Sequence, residues 1–180
     1  MAQVYVVHGY TASAQSHWFG WLKTELEKIG VVCECLTMPD SDNPTPQAWL
    51  EHLGKQVHVD DQTIVIGHSL GGLAWLNFLS QAYLTPRGAI FVSGFYQSLP
   101  SLPELTTFSN LYAISPSLMP FKSYVVASLD DSIVPHQYSD ALAVHLQADY
   151  IRLPTGGHFL DREGWTTFPL VLELVKKLLP

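Results

Sequence analysis

Residues 63–74 read Thr-Ile-Val-Ile-Gly-His-Ser-Leu-Gly-Gly-Leu-Ala, a β-branched run that meets Gly67-His68-Ser69-Leu70-Gly71 and passes into helix-forming residues. Few sequence features constrain a fold more. A serine on so tight a strand-to-helix turn needs glycine on either side, because a β-carbon at 67 or 71 would strike the neighbouring strand or helix. The turn holds the Ser69 hydroxyl above the carboxyl edge of a sheet, where the next helix opens with unpaired N–H groups. The pentapeptide alone recurs by chance in about one chain of this size in twenty. The context is what identifies a nucleophile elbow: Ile64, Val65 and Ile66 before it, and Gly72, Leu73, Ala74, Leu76 and Leu79 after it.

A nucleophilic serine needs a base, and the base needs a carboxylate to orient it. Both follow in the order Ser, Asp, His. The strand-like Tyr124–Ser128 runs into Asp130 and Asp131, and the strand-like Tyr150–Leu153 runs into Gly156-Gly157-His158-Phe159. Each loop falls at the sheet edge that carries Ser69. Spacing does not separate the two adjacent carboxylates. Near the N-terminus, Gln3–Val7 reads as a strand ending in His8-Gly9-Tyr10-Thr11. That loop can aim the Tyr10 N–H at a reacting carbonyl, with the Leu70 N–H as the second oxyanion donor. His8 reads as a hydrogen-bonding support for the loop, since His158 already occupies the place of the base.

These segments, with His17-Trp18-Phe19-Gly20-Trp21-Leu22-Lys23, Met38-Pro39-Asp40 and the Pro135 that follows Asp131, resemble the small serine hydrolases of the α/β-hydrolase superfamily. The similarity is to the group that includes YdeN and the retinoblastoma-binding serine hydrolase, and it runs nearly end to end. The resemblance implies a three-layer α/β/α sandwich with about six parallel strands, catalytic Ser69, Asp131 and His158, and no cofactor. It does not imply a substrate.

At 180 residues and 47% hydrophobic, the chain suits one domain with a continuous core. Central strands covered on both faces should read as apolar runs, as 4–7, 64–66, 89–92 and 124–127 do. With no hairpin before Val4, an all-parallel sheet is expected. A strand that begins so close to Met1 leaves no room for a signal peptide, and no run reaches membrane-span length, so a cytoplasmic protein is expected. Cys33 and Cys35 are too close along a strand for a good disulfide and read as reduced core residues. The formal charge of −7 disfavours nucleic acid as a partner. Anionic substrates are disfavoured more weakly, because a local Arg152 or Arg162 could offset the global field.

Periodicity predicts helices at 15–29, 46–58, 70–83, 136–147 and 165–179, alternating with strands at 31–36, 88–93, 123–128 and 149–153. Asp40, Asp42 and Asn43 lack the spacing of a cation loop and read as turn formers, so no metal site is expected. His17, His52, His58, His136 and His145 are scattered. Residues 95–121 carry one charge, Glu104, among many Leu, Phe and Tyr side chains broken by four prolines. An ordinary solvated loop would be polar, so this segment is expected to fold over the site as a small cap, the alternative being burial against a partner. The pocket is then expected to draw on Trp18, Phe95, Phe108, Leu111, Phe159 and Trp165.

The expected chemistry is cleavage of small to medium carboxylic esters through an acyl-enzyme on Ser69. Thioesters, amides and perhydrolysis use the same groups. A protein-binding module on the same fold is the alternative from another class.

Overall fold

The computed structural model describes residues 2–114 and 121–180. Strands β1 (Gln3–Val7), β2 (Val32–Leu36), β3 (Thr63–His68), β4 (Gly88–Val92), β5 (Lys122–Ser128) and β6 (Asp149–Leu153) form one parallel sheet in the order β2-β1-β3-β4-β5-β6. Helices α1 (Phe19–Lys28), α2 (Pro46–Gln56), α3 (Leu70–Ala82), α4 (Thr106–Ile114), α5 (His136–Leu146) and α6 (Pro169–Leu178) flank it.

Alternation along each central strand divides the core into two halves, because successive side chains point to opposite faces. Tyr5, Val7, Val65, Ala89, Phe91 and Val125 pack with Trp49, Leu73, Leu76 and Leu142 of α2, α3 and α5. Val4, Val6, Ile64, Ile66, Ile90 and Val126 pack with Phe19, Leu22, Leu26, Val171 and Val175 of α1 and α6. Each such buried aliphatic side chain stabilises the fold by about 1.5–3 kcal/mol. The apolar runs of β1, β3, β4 and β5 follow from this double cover, whereas the edge strands β2 and β6 are partly exposed.

The starts of two helices differ from the periodicity, each for a local reason. The first helix opens at Phe19 rather than near 15, because His17 adopts φ +55, which no helix accommodates. The last begins at Pro169 rather than 165, after Gly164 at φ +93, with proline at its first position. Within 95–121, Pro103–Leu105 form a 3-10 turn that runs into α4. Leu105, Phe108 and Tyr112 are spaced for one helical face, and all three are buried. Pro116 and Pro120 lie outside the described residues.

The strand order reverses direction between β1 and β3, and the carboxyl ends of those two strands open the crevice where such sheets take ligands. His8-Gly9-Tyr10 leaves one end and Ser69 leaves the other.

Candidate active site

Ser69 sits at φ 55, ψ −123, between the last residue of β3 and the first of α3. Few non-glycine residues hold such a backbone, and here both flanking glycines make it possible. A Cβ on Gly67 would fall on Gly72 N and Cα, and one on Gly71 would fall on the Val7 carbonyl oxygen. The Ser69 N–H donates to Val92 O at 2.8 Å, so the neighbouring strand holds the turn down. The Leu70 N–H opens α3 and has no acceptor within that helix.

The two adjacent carboxylates do different things. Asp131 accepts a 2.8 Å bond from His158 Nδ1 on Oδ2, and bonds from the N–H groups of Ile133 and Val134 on Oδ1, both at 2.9 Å. Its side chain is buried, as is that of His158. Asp130 instead braces the histidine loop. Its Oδ1 accepts from Gly156 N–H at 2.9 Å, Gly157 N–H at 2.8 Å and the Ser128 hydroxyl at 2.8 Å. The bond from Gly157, chiefly, holds the Asp130 carboxyl below its ordinary range. Glu163 completes the brace: its Oε2 accepts from His158 N–H at 2.9 Å and Leu160 N–H at 3.0 Å.

The loop after β1 comes close to Ser69. A Cβ on Gly9 would stand 3.1 Å from Ser69 Cβ and 3.2 Å from His68 O, so a side chain there would crowd the elbow. His8 fastens the loop, donating from Nδ1 to Gly9 O at 2.8 Å and accepting the Met38 N–H on Nε2 at 3.0 Å. Burial pulls its pKa below 6.5 and keeps it neutral for both bonds. Trp49 Nε1 donates to Pro39 O at 2.8 Å and ties down the neighbouring loop. The Tyr10 N–H has no acceptor among the described residues.

Ser69, His158 and Tyr10 line one cavity of about 440 Å³. Three of its lining residues, Thr11, His17 and Ser69, have positive φ, a concentration of backbone strain typical of functional sites. No group of three or more His, Cys, Asp or Glu side chains among the described residues is arranged to hold a metal ion.

A family model described as serine hydrolase matches residues 4–177. The chain belongs to the serine hydrolase family. This serine hydrolase is 39% identical over 178 residues to the hydrolase YdeN of Bacillus subtilis, covering 96% of the chain and 94% of the relative. It is 28% identical over 173 residues to serine hydrolase RBBP9 of Rattus norvegicus, covering 90% and 86% of the two chains. The crystal structure of the B. subtilis ydeN product superposes with a TM-score of 0.92 at 37% identity, covering 99% of this chain and 98% of that one. The fold is shared more widely: Est1E of Butyrivibrio proteoclasticus, with ferulic acid bound, gives 0.75 at 18% identity over 98% of this chain and 87% of its own.

In this serine hydrolase the residues expected to wall the pocket stand elsewhere. Trp18 and Phe159 are sealed in the core on the α1/α6 side, and Phe95 and Phe108 on the α3 side. Leu111 is half-buried on α4 and does not line the cavity. Trp165 packs edge-on against Phe159 and borders a separate open groove with Asp130, Gly157 and Glu163. For Trp18, Phe95, Phe108 and Phe159 the physical reason is shared: a large aromatic side chain gains more from full burial than from walling a wet cavity. Of residues 95–121, Leu102 alone among the described residues reaches the cavity that holds Ser69.

Two histidines that spacing left unassigned stand beside His158. His68 donates from Nε2 to His158 O at 2.8 Å, and its ring lies 4.9 Å from that of His158. Burial pulls the His68 pKa well below 6.5, so it stays neutral. His17 lines the cavity and packs edge-on against His68 at 5.2 Å. Its position in the first turn of the expected helix, at the sheet edge that carries the site, was the available signal. Arg162 lines the same cavity.

Proposed function

We propose that this serine hydrolase cleaves small to medium carboxylic esters through an acyl-enzyme on Ser69, with His158 as base and Asp131 as its orienting carboxylate. The observation that carries this reading is the buried 2.8 Å bond from His158 Nδ1 to Asp131, with His158 and Ser69 lining one cavity. With Nδ1 donating to Asp131, the neutral imidazole keeps Nε2 free to accept a proton. Ser69 Oγ attacks the ester carbonyl as its proton passes to His158 Nε2. The oxyanion is received by the N–H groups of Tyr10 and Leu70, each worth roughly two to three orders of magnitude. Collapse expels the alcohol, which takes the proton from His158; a water activated the same way then releases the acid.

Thioesters and amides fit the same steps, and a small-molecule ester is the substrate class the cavity size favours. A cytoplasmic location and the absence of a nucleic-acid partner belong to this proposal, supported by two free thiols and a charge of −7. No helix is long and apolar enough to cross a membrane among the described residues.

Intact-mass spectrometry after fluorophosphonate treatment tests the reading. One adduct is expected on the wild type and none on Ser69→Ala, which should also lose about 10⁶ in turnover. Equal labelling of both proteins would overturn it.

A further inference from the structure

The Ser69 cavity is built from two loops far apart in sequence, and a reciprocal pair of bonds joins them. Asp161 N–H donates to His17 Nδ1 at 3.1 Å, and His17 N–H reaches Asp161 Oδ2 at 3.5 Å. Because Nδ1 accepts, the neutral His17 carries its proton on Nε2. That N–H has no acceptor among the described residues, although the His17 side chain is only 9% exposed and lines the cavity. The result is an unspent hydrogen-bond donor within the same cavity as Ser69.

Arg162, the next residue along, is the cationic member of the lining. Lys23, Lys28, Lys122, Arg152 and Lys176 have carboxylate partners; Lys55, Arg87, Arg162 and Lys177 have none among the described residues, and of these four only Arg162 lines the cavity. Asp161, the one anion of the lining, is already engaged: Oδ1 accepts the Arg162 N–H at 2.7 Å and Oδ2 faces the His17 N–H. The apolar lining is Ala12, Leu102, Ile133, Leu160 and Tyr10, while Trp18, Phe95, Phe108 and Phe159 are sealed beneath. There is little apolar depth for a long acyl chain.

We propose that this cavity selects esters bearing a second, carboxylate group, held by the Arg162 guanidinium and the His17 Nε2–H. The inference rests on the hydrolase reading above and names its substrate class. A guanidinium offers a planar donor fork that matches a carboxylate. One arginine in the cavity of a molecule of net charge −7 suits a monoanion better than a phosphate dianion.

Two matched ester pairs test it, one for each side of the scissile bond. The 4-nitrophenyl monoester of glutarate is compared with 4-nitrophenyl 5-methylhexanoate, and 4-acetoxybenzoate with 4-isopropylphenyl acetate. In at least one pair the charged ester is expected to have the higher kcat/KM, by about tenfold at low salt, with the advantage shrinking at about 0.5 M sodium chloride. Arg162→Met should bring that ratio to about one, and Arg162→Lys should restore part of it. The Arg162 side chain is exposed, and thermal melting checks that both variants fold. A ratio at or below one in both pairs, or a preference untouched by Arg162→Met, overturns the inference. Fluorophosphonate labelling of the same samples separates the two levels: labelled enzyme without the preference removes this inference alone, and unlabelled enzyme removes the hydrolase reading with it.

Discussion

Asp131 and His158 meet through a 2.8 Å bond from Nδ1 to Oδ2, with side chains 1% and 5% exposed. Twenty-seven residues separate them, and both are held from behind. The N–H groups of Ile133 and Val134 fix the carboxylate, while Glu163 and His68 hold the backbone N–H and C=O of the histidine. Such an arrangement fixes the imidazole tautomer before any substrate arrives, which is what a general base requires.

Asp131→Asn should lower turnover by about 10⁴, because the amide favours the wrong imidazole tautomer. Asp130→Asn should keep most activity, since an amide oxygen can still accept from Gly156 and Gly157. Steady-state kinetics with one activated ester decides between them. A reversed order would reassign the carboxylate.

Gly71→Ala puts a methyl group onto the Val7 carbonyl, so β1 and the elbow cannot both keep their places. A loss of roughly 3 kcal/mol or more is expected from that backbone clash. Gly20→Ala is the control: nothing lies within 4 Å of its Cβ, and α1 should gain up to about 1 kcal/mol. Denaturant unfolding of the two variants measures both, and equal stabilities would contradict the geometry.

Phe108 lies edge-on to Trp49 at 5.6 Å and is 1% exposed. Phe108→Ala should therefore cost about 3–5 kcal/mol and leave acyl-chain preference unchanged. Leu102→Ala should do the opposite, widening the cavity and shifting preference towards bulkier acyl groups with little change in melting temperature. Melting curves and a chain-length series on each variant test the pair.

Acid should destabilise the fold in two windows. Burial holds His8, His17 and His68 below 6.5, so between their folded values and 6.5 the unfolded chain binds more protons. Their contribution is complete above 6.5 and is lost as pH falls below it. Asp60, Asp130 and Asp161 are held below 3.8 by hydrogen bonds, and their contribution is lost as pH falls through that lower range. Melting temperature from pH 8 to 3 should fall in both windows. His68→Gln should flatten the first, and an unchanged slope there would assign it to other groups.

The elbow, the alternation of strands with helices and the Ser, Asp, His order were legible in the chain because each rests on local chemistry. Two glycines, a β-branched run and loops at one sheet edge are properties of a dozen neighbouring residues at a time. Helix α4 was also within reach, through Leu105, Phe108 and Tyr112, but the prolines around it masked the period. Only the tertiary structure decided which aromatic side chains the core would consume, and which of two adjacent carboxylates would face His158. It alone brought His17 to Asp161, 144 residues away, and set Arg162 in the lining of the cavity that holds Ser69. Short-range pattern fixes turns and faces, but a side chain's partner depends on which distant segment packs opposite it, and that is settled only when the whole sheet and both helical layers close together.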